Sequence, residues 1–110
     1  MHDNNYQIYL GDILLGNVTN IDTDMPNVGG DFTETTEFEK VKPDFDKEFD
    51  LLNAETETVW LGVMEELDRK GLKIIKPNGV KLRFSNPSAR KRNGFAHLHI
   101  KDGKAWWRPT

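Results

Sequence analysis

Two histidines, two tryptophans and an arginine lie within residues 95–108 and are the side chains of the chain best suited to chemistry. His97 and His99 are two residues apart, so a β-strand would place both imidazoles on one face, a spacing that can chelate a transition metal. A catalytic zinc site usually needs a third protein ligand. The third histidine, His2, lies in residues 1–5, a polar N-terminus that we expect to be loose. Because neighbouring lysines and arginines also repel a cation, we predict neither a metal site nor a cofactor.

The turn that positions these side chains is Asp102-Gly103. This dipeptide between alternating strands favours a two-residue type I′ hairpin, because both central residues of that turn need a positive φ. The predicted cross-strand pairs are Lys101 with Lys104, Ile100 with Ala105, His99 with Trp106, Leu98 with Trp107 and His97 with Arg108. One face is then apolar and belongs in a core. The opposite face, called here the basic aromatic face, carries His97, His99, Lys101, Lys104, Trp106 and Arg108.

The N-terminal third of the chain predicts a second hairpin followed by a loop. Strands at 6–10 and 13–21 flank Gly11-Asp12, and a glycine in the first turn position suits a type II′ turn. Gly16 inside the second strand indicates a bulge or the close approach of another backbone. Residues 22–31 contain a proline and two consecutive glycines, which favour a loop.

The middle of the chain predicts helices. An apolar stripe at helical spacing is formed by Phe38, Val41, Phe45, Phe49 and Leu52. Thr36 is placed to begin it with a capping box. Pro43 interrupts the stripe, so either the helix kinks there or a short turn ends and a second helix begins near that proline. A cleaner stripe follows over residues 59–67, and Gly71 is a suitable left-handed stop.

A hairpin and a basic loop separate these helices from the final hairpin. Pro77-Asn78-Gly79 predicts a turn that places Ile74 opposite Leu82 on a core face. Lys73 would then face Arg83, and because like charges opposite each other are unfavourable we expect an acidic neighbour. Residues 85–94 are predicted to form a flexible loop that carries Arg90, Lys91 and Arg92.

These elements predict a single α+β domain over residues 1–110. An antiparallel sheet of five or six strands, with β-hairpins at both ends of the chain, would pack two or three helices from the middle of the chain on one face. The other face would be free of helices and would join the basic aromatic face to Arg83 and its lysine neighbours. No apolar run reaches the length of a membrane span and no signal peptide opens the chain, so we expect a cytoplasmic protein without membrane contact.

Charge is distributed unevenly along the chain, although the net charge is only −3. Three basic and 17 acidic residues precede Arg69, whereas twelve basic residues and one acidic residue, Asp102, are found from Arg69 onward. This asymmetry indicates either an anionic partner or attraction between the two parts. Neutralisation within one fold is the favoured explanation.

Motifs and composition narrow the class of function. The absence of cysteine removes disulfides, thiol nucleophiles and cysteine-bound metals. The chain has no nucleophile elbow, no zinc-protease motif, no phosphate-binding loop and no dinucleotide fingerprint. We therefore predict that the protein is not an enzyme.

The basic aromatic face is the predicted binding surface. Tryptophan and arginine are favoured interface anchors, so we expect a small binding or regulatory domain that recognises an acidic protein surface or the acidic part of a second copy. Single-stranded nucleic acid is the alternative, because phosphates need cations and bases stack on aromatic rings. A wholly structural explanation is that the N-terminal hairpin and the acidic loop fold over this face and bury Trp106. The predicted binding residues are Arg83, Arg90, Lys91, Arg92, His97, His99, Trp106 and Arg108.

Overall fold

The structure, a computed structural model, describes residues 5–24, 27–52, 57–84 and 94–109, and the strands in this part of the chain form a closed barrel. The strands are β1 (Tyr6–Leu10), β2 (Ile13–Asp24), β3 (Asn27–Glu34), β4 (Leu72–Ile75), β5 (Lys81–Phe84), β6 (Gly94–Lys101) and β7 (Lys104–Pro109). Their order around the barrel is β1-β2-β3-β7-β6-β5-β4, and β4 pairs with β1 to close the ring. The β5–β6 pair is parallel and the other described pairs are antiparallel.

The closed barrel shows that the predicted open α+β sheet, with helices on one face, is wrong. The main cause is β3, which occupies residues 27–31, the second half of the predicted loop at 22–31. This strand pairs with β2 on one side and with β7 on the other, so it joins the N-terminal hairpin to the C-terminal hairpin. Gly29 lies within this strand, and its position requires glycine because the neighbouring strand leaves no room for a side chain. An added Cβ would lie 2.6 Å from the Cβ of Trp106. Such glycines mark close approach of chains as well as turns.

Three helical segments lead from β3 to β4: a 3₁₀ helix (Thr36–Lys40), α1 (Lys42–Leu52) and α2 (Glu57–Arg69). The predicted capping box at Thr36 is wrong, because the N-cap is Thr35, whose hydroxyl donates instead to the carbonyl of Leu14 at 2.6 Å. Pro43 is the second residue of α1, which confirms the alternative in which a new helix begins near it. Gly71 follows α2 with φ +94° and ends that helix as predicted.

The helices lie against the side of the barrel formed by β4, β5 and β6, since α1 contacts β6 and α2 contacts β4 and β5. Barrel and helices share one core, in which the rings of Phe32 and Phe38 are 5.0 Å apart and those of Phe38 and Phe45 are 5.7 Å apart. Side chains that are almost fully buried in it include Ile8, Leu15, Val18, Phe45, Met64, Leu67, Leu72, Ile74, Phe95, Leu98 and Trp107. Burial of this apolar surface is the main source of stability.

The final hairpin is confirmed at its turn and corrected further along. Asp102 and Gly103 have φ of 51° and 74°, as a type I′ turn requires, and His99 pairs with Trp106 as predicted. The register then shifts between residues 96 and 99, where β6 holds one extra residue. Ala96 therefore pairs with Arg108, and the predicted pairing of Arg108 with His97 is wrong. The extra residue is a β-bulge.

Gly16 in β2 lies beside a bulge and under an aromatic ring, as its position in the strand predicted. The β1–β2 register shifts after Ile8, which pairs with Gly16. A Cβ at Gly16 would lie 2.5 Å from Cζ of Phe32 and 2.6 Å from the carbonyl oxygen of Thr33. The site therefore excludes any side chain, although the backbone itself is extended.

Candidate functional site

The predicted binding residues lie on β5, β6 and β7, which are neighbours in the barrel. Arg83 is on β5, His99 is on β6, and Trp106 and Arg108 are on β7. The structure therefore brings these four onto adjoining strands. The loop residues Arg90, Lys91 and Arg92 lie outside the described residues, and so does the side chain of His97.

Trp106 is partly buried and is held from two sides by rings. Its indole lies 5.8 Å from the ring of Phe49 in an edge-to-face arrangement and 5.3 Å from the ring of His99. Phe49 belongs to α1, so a helix contacts the basic aromatic face. The prediction that this face is free of helices is wrong. This cover also differs from the wholly structural explanation, in which the N-terminal hairpin and the acidic loop would bury Trp106. These contacts fix the orientation of the indole and leave part of it accessible.

His99 supports Trp106 and is itself only 5 % exposed. It was predicted to contact a partner directly from a partly exposed position, but its burial removes the imidazole from the surface. In the part of the chain that the structure describes, no group of three or more histidine, cysteine, aspartate or glutamate side chains could hold a metal ion. His99 is therefore a buried neighbour of the indole.

Several cations of the basic C-terminal part are paired with acids from the first part of the chain. The pairs are Lys70 with Asp44 at 3.9 Å, Arg83 with Asp68 at 3.4 Å, Lys101 with Asp46 at 3.5 Å, and Lys104 with Asp31. They support neutralisation within one fold, the favoured explanation of the charge asymmetry. Asp68 is also the acidic neighbour expected for Arg83, which faces Lys73 across the β4–β5 ladder. Exposed pairs of this kind are worth about 0–1 kcal/mol each.

Arg108 differs from these paired cations. It is exposed, and it forms no ion pair with any residue that the structure describes. It follows Trp106 by two positions in β7, so the two side chains leave the same face of the strand. A partly exposed indole therefore lies on the outer surface of the barrel beside a guanidinium that has no ion pair within the described part of the chain.

A cleft of about 580 Å³ opens on the other side of Trp106, over β2, β3 and β7. Its lining residues are Asn20, Asp22, Asn27, Gly29, Gly30, Asp31, Lys104, Ala105 and Trp106. Most of these lining residues are absent from the predicted site, because residues 22–31 are predicted to form a loop. The signal that could have found them is the period of two in Asn27, Gly29 and Asp31, which places all three on one face of a strand.

Asp31 is the centre of a polar network in this cleft. Nδ2 of Asn20 donates a hydrogen bond to Oδ2 of Asp31 at 2.8 Å, and Nζ of Lys104 forms an ion pair with the same carboxylate. The hydrogen bond from Asn20, followed by the hydrogen bond and charge of Lys104, lowers the pKa of Asp31 below its ordinary value. Asn20 reaches this position with φ of 53°, a left-handed conformation that asparagine tolerates. These contacts orient the side chains of Asn20, Asp31 and Lys104 relative to one another.

No helix in the described ranges is long and apolar enough to cross a membrane. The described residues of the site supply three features that can bind a ligand: an oriented indole, the guanidinium of Arg108 and a polar cleft. Comparison of the chain with models of protein families, with curated proteins and with solved structures finds no match.

Proposed function

We propose that this chain is a small non-enzymatic binding domain that recognises an acidic protein segment through Trp106 and Arg108. The observation that supports the proposal is their placement side by side on β7, one partly exposed and the other unpaired among the described residues. Interface hot spots are enriched in tryptophan and arginine. A guanidinium can also bind a carboxylate through two parallel hydrogen bonds, which gives directional recognition of an acid.

The contacts around Trp106 favour binding because they restrict its side chain in advance. Phe49 and His99 pack against the indole, so little rotamer freedom remains to be lost when a partner covers its accessible part. Ordering a flexible side chain at an interface costs about 0.5–1.5 kcal/mol, and an oriented ring avoids much of that cost. Under this proposal His99 acts through Trp106 and makes no direct contact with the partner.

Arg83 is a second candidate contact for an acidic partner. Its side chain is 66 % exposed and its pair with Asp68 uses Nη2, so other donors of the guanidinium stay available. Because this pair lies at the surface, a partner carboxylate can replace Asp68 at little cost. Arg83 would then extend the site from β7 across β6 to β5.

The proposal is tested with a short fluorescent peptide of alternating glutamate and phenylalanine, whose anisotropy is followed at low and at high salt. We expect binding that weakens as salt is raised, because the contact with Arg108 is electrostatic. Trp106→Ala and Arg108→Ala should each weaken binding roughly tenfold or more, as loss of an interface anchor does. Arg69→Ala is the matched control, since it removes the same charge from an exposed position on α2. Equal binding by the Arg108→Ala and Arg69→Ala proteins would contradict the proposal.

Single-stranded nucleic acid is the alternative partner for the same two residues. An accessible indole can stack on a base and Arg108 can contact a phosphate. However, Asp22 and Asp31 lie beside Trp106 in the neighbouring cleft. They would repel a backbone that carries a charge at every nucleotide more than a peptide in which acidic and apolar side chains alternate. A labelled oligothymidylate in the same assay separates the two cases: tighter binding of this probe than of the acidic peptide, lost in Trp106→Ala, would replace the protein partner with nucleic acid.

A further inference from the structure

The cleft beside Trp106 has a charge balance that does not suit an anion. Its described lining holds two carboxylates, Asp22 and Asp31, and one amine, Lys104. That amine is already paired with Asp31. A phosphate or carboxylate entering the cleft would meet Asp22 without a free cation to offset the repulsion. The cleft therefore favours a neutral ligand over the acidic partner proposed for Trp106 and Arg108.

The polar groups of the cleft match a ligand that both donates and accepts hydrogen bonds. The side-chain amides of Asn20 and Asn27 each carry donors and an acceptor. Asp31 keeps lone pairs beyond those used by Asn20 and Lys104, and the ammonium of Lys104 has three donors in all. A hydroxyl group donates and accepts at the same atom, so a ligand with several adjacent hydroxyls can satisfy this mixed set.

The rest of the lining includes one aromatic residue and two glycines. Trp106 contributes to the lining, and Gly29 and Gly30 supply a stretch of it without side chains. No side chain can be introduced at Gly29, because a Cβ there would lie 2.6 Å from the carbonyl oxygen of Ala105. A pyranose ring has one face of C–H groups that packs on an indole and a rim of hydroxyls that reaches polar side chains. Among the described lining residues Trp106 is the only aromatic, so a nucleobase would lack a second stacking surface.

We propose that this cleft binds a neutral carbohydrate, with the sugar ring on Trp106 and its hydroxyls on Asn20, Asn27 and Asp31. The cleft volume of about 580 Å³ lies within the common range for small-molecule sites and accommodates one or two sugar units. The Asn20–Asp31–Lys104 network restricts those side chains, so binding has less to order. This site goes beyond the proposed recognition of an acidic segment and does not use Arg108.

The test is a titration followed by two-dimensional ¹H–¹⁵N NMR. The probes are glucose, galactose, mannose, N-acetylglucosamine, maltose, cellobiose and lactose. At least one sugar should shift the indole N–H of Trp106 and the side-chain amides of Asn20 and Asn27 saturably, with a dissociation constant in the millimolar range. Asn27→Ala should weaken that sugar at least fivefold, while Thr33→Ala, an exposed change further along β3 and outside the cleft, should leave it unaltered.

Three results would overturn the proposal. The first is that no sugar produces a saturable shift of these resonances. The second is that the Asn27→Ala protein binds the sugar as the wild type does. The third is that glycerol or thymidine shifts the same signals at concentrations as low as the best sugar. Failure here is distinct from failure of the acidic-partner proposal, because Asn27→Ala should not affect the acidic peptide and Arg108→Ala should not affect the sugar.

Discussion

Trp106 and Trp107 are neighbours in β7 but lie on opposite sides of the barrel wall, so truncating them should have unequal costs. Trp107 is 1 % exposed and its ring lies 5.2 Å from that of Tyr6 in the core. Replacing such a residue with alanine leaves a cavity and costs about 3–5 kcal/mol. Trp106→Ala removes two aromatic contacts, with Phe49 and His99, worth about 0.5–1.5 kcal/mol each, and leaves no sealed cavity. We expect it to cost about 1–3 kcal/mol.

The assay is urea unfolding followed by far-ultraviolet circular dichroism, which does not depend on the tryptophan that has been removed. The difference between the two variants should be about 2 kcal/mol, a shift of the midpoint of roughly 1 M at the denaturant sensitivity usual for small domains. Because a domain of this size has only about 5–15 kcal/mol of stability, Trp107→Phe serves as a milder variant if Trp107→Ala does not fold. Equal costs for the two positions, or a larger cost at Trp106, would refute the assignment of the two faces of β7.

Three further predictions concern backbone packing and pH. Gly16→Ala should cost about 1–3 kcal/mol because the new Cβ overlaps the ring of Phe32, and a Phe32→Leu background should recover only part of that cost, since the Thr33 carbonyl remains. Gly103→Ala meets no atom within 4 Å but must hold φ near 74°, so urea unfolding should show about 1–2 kcal/mol of lost stability; no loss would contradict the turn assignment. Because folding lowers the pKa of Asp31, its contribution should be present above the ordinary value of 3.8 and disappear as pH falls through the lower folded value. The difference in unfolding free energy between wild type and Asp31→Asn should follow that course, and a difference that grows on acidification would exclude it.

The local features of the fold were predictable because each depends on a few adjacent residues. Asp102-Gly103 and Gly11 form their turns with the expected positive φ, and the turn before Val80 aligns Ile74 with Leu82 as predicted. Turn chemistry of this kind acts over two to four residues, so no knowledge of the rest of the chain is needed. The alternation along β7 likewise predicts that Trp106 and Trp107 face opposite sides.

Closure of the barrel was not predictable from the same signals. The sequence predicts a loop at Gly29 and Gly30, because a glycine pair has the same local pattern whether it bends the chain or lets a neighbouring strand approach closely. In this barrel the glycine pair lies against a neighbouring strand, because β3 pairs with β7 and Val28 lies opposite Trp107, far away in the chain. Only that long-range pairing distinguishes the two cases.

The same difference between local and long-range signals decides which residues of the candidate site could be predicted. Trp106 and Arg108 are two residues apart in β7, so strand alternation alone places them on one face, although only the pairing of Trp106 follows from the local turn. Asn20, Asn27 and Asp31 join Trp106 only through the β2–β3–β7 pairing, so a loop assignment hides them. The bulge in β6 was also unpredicted, because one extra residue in a strand leaves no compositional trace when the flanking side chains still alternate.

The internal ion pairs determine how an acidic partner could gain affinity. A partner carboxylate that binds Lys101, Lys104 or Arg83 competes with the aspartate that already pairs with that cation, so its own ion pair adds little net free energy. The net gain from those three cations is therefore small. Affinity would depend chiefly on Arg108, which pairs with none of the described acids, and on burial of Trp106. Burial of the indole requires an apolar side chain next to the acid in the partner. It follows that binding should depend on salt less steeply than the number of basic residues suggests, and that a peptide of glutamate alone should bind more weakly than one in which phenylalanine alternates with glutamate.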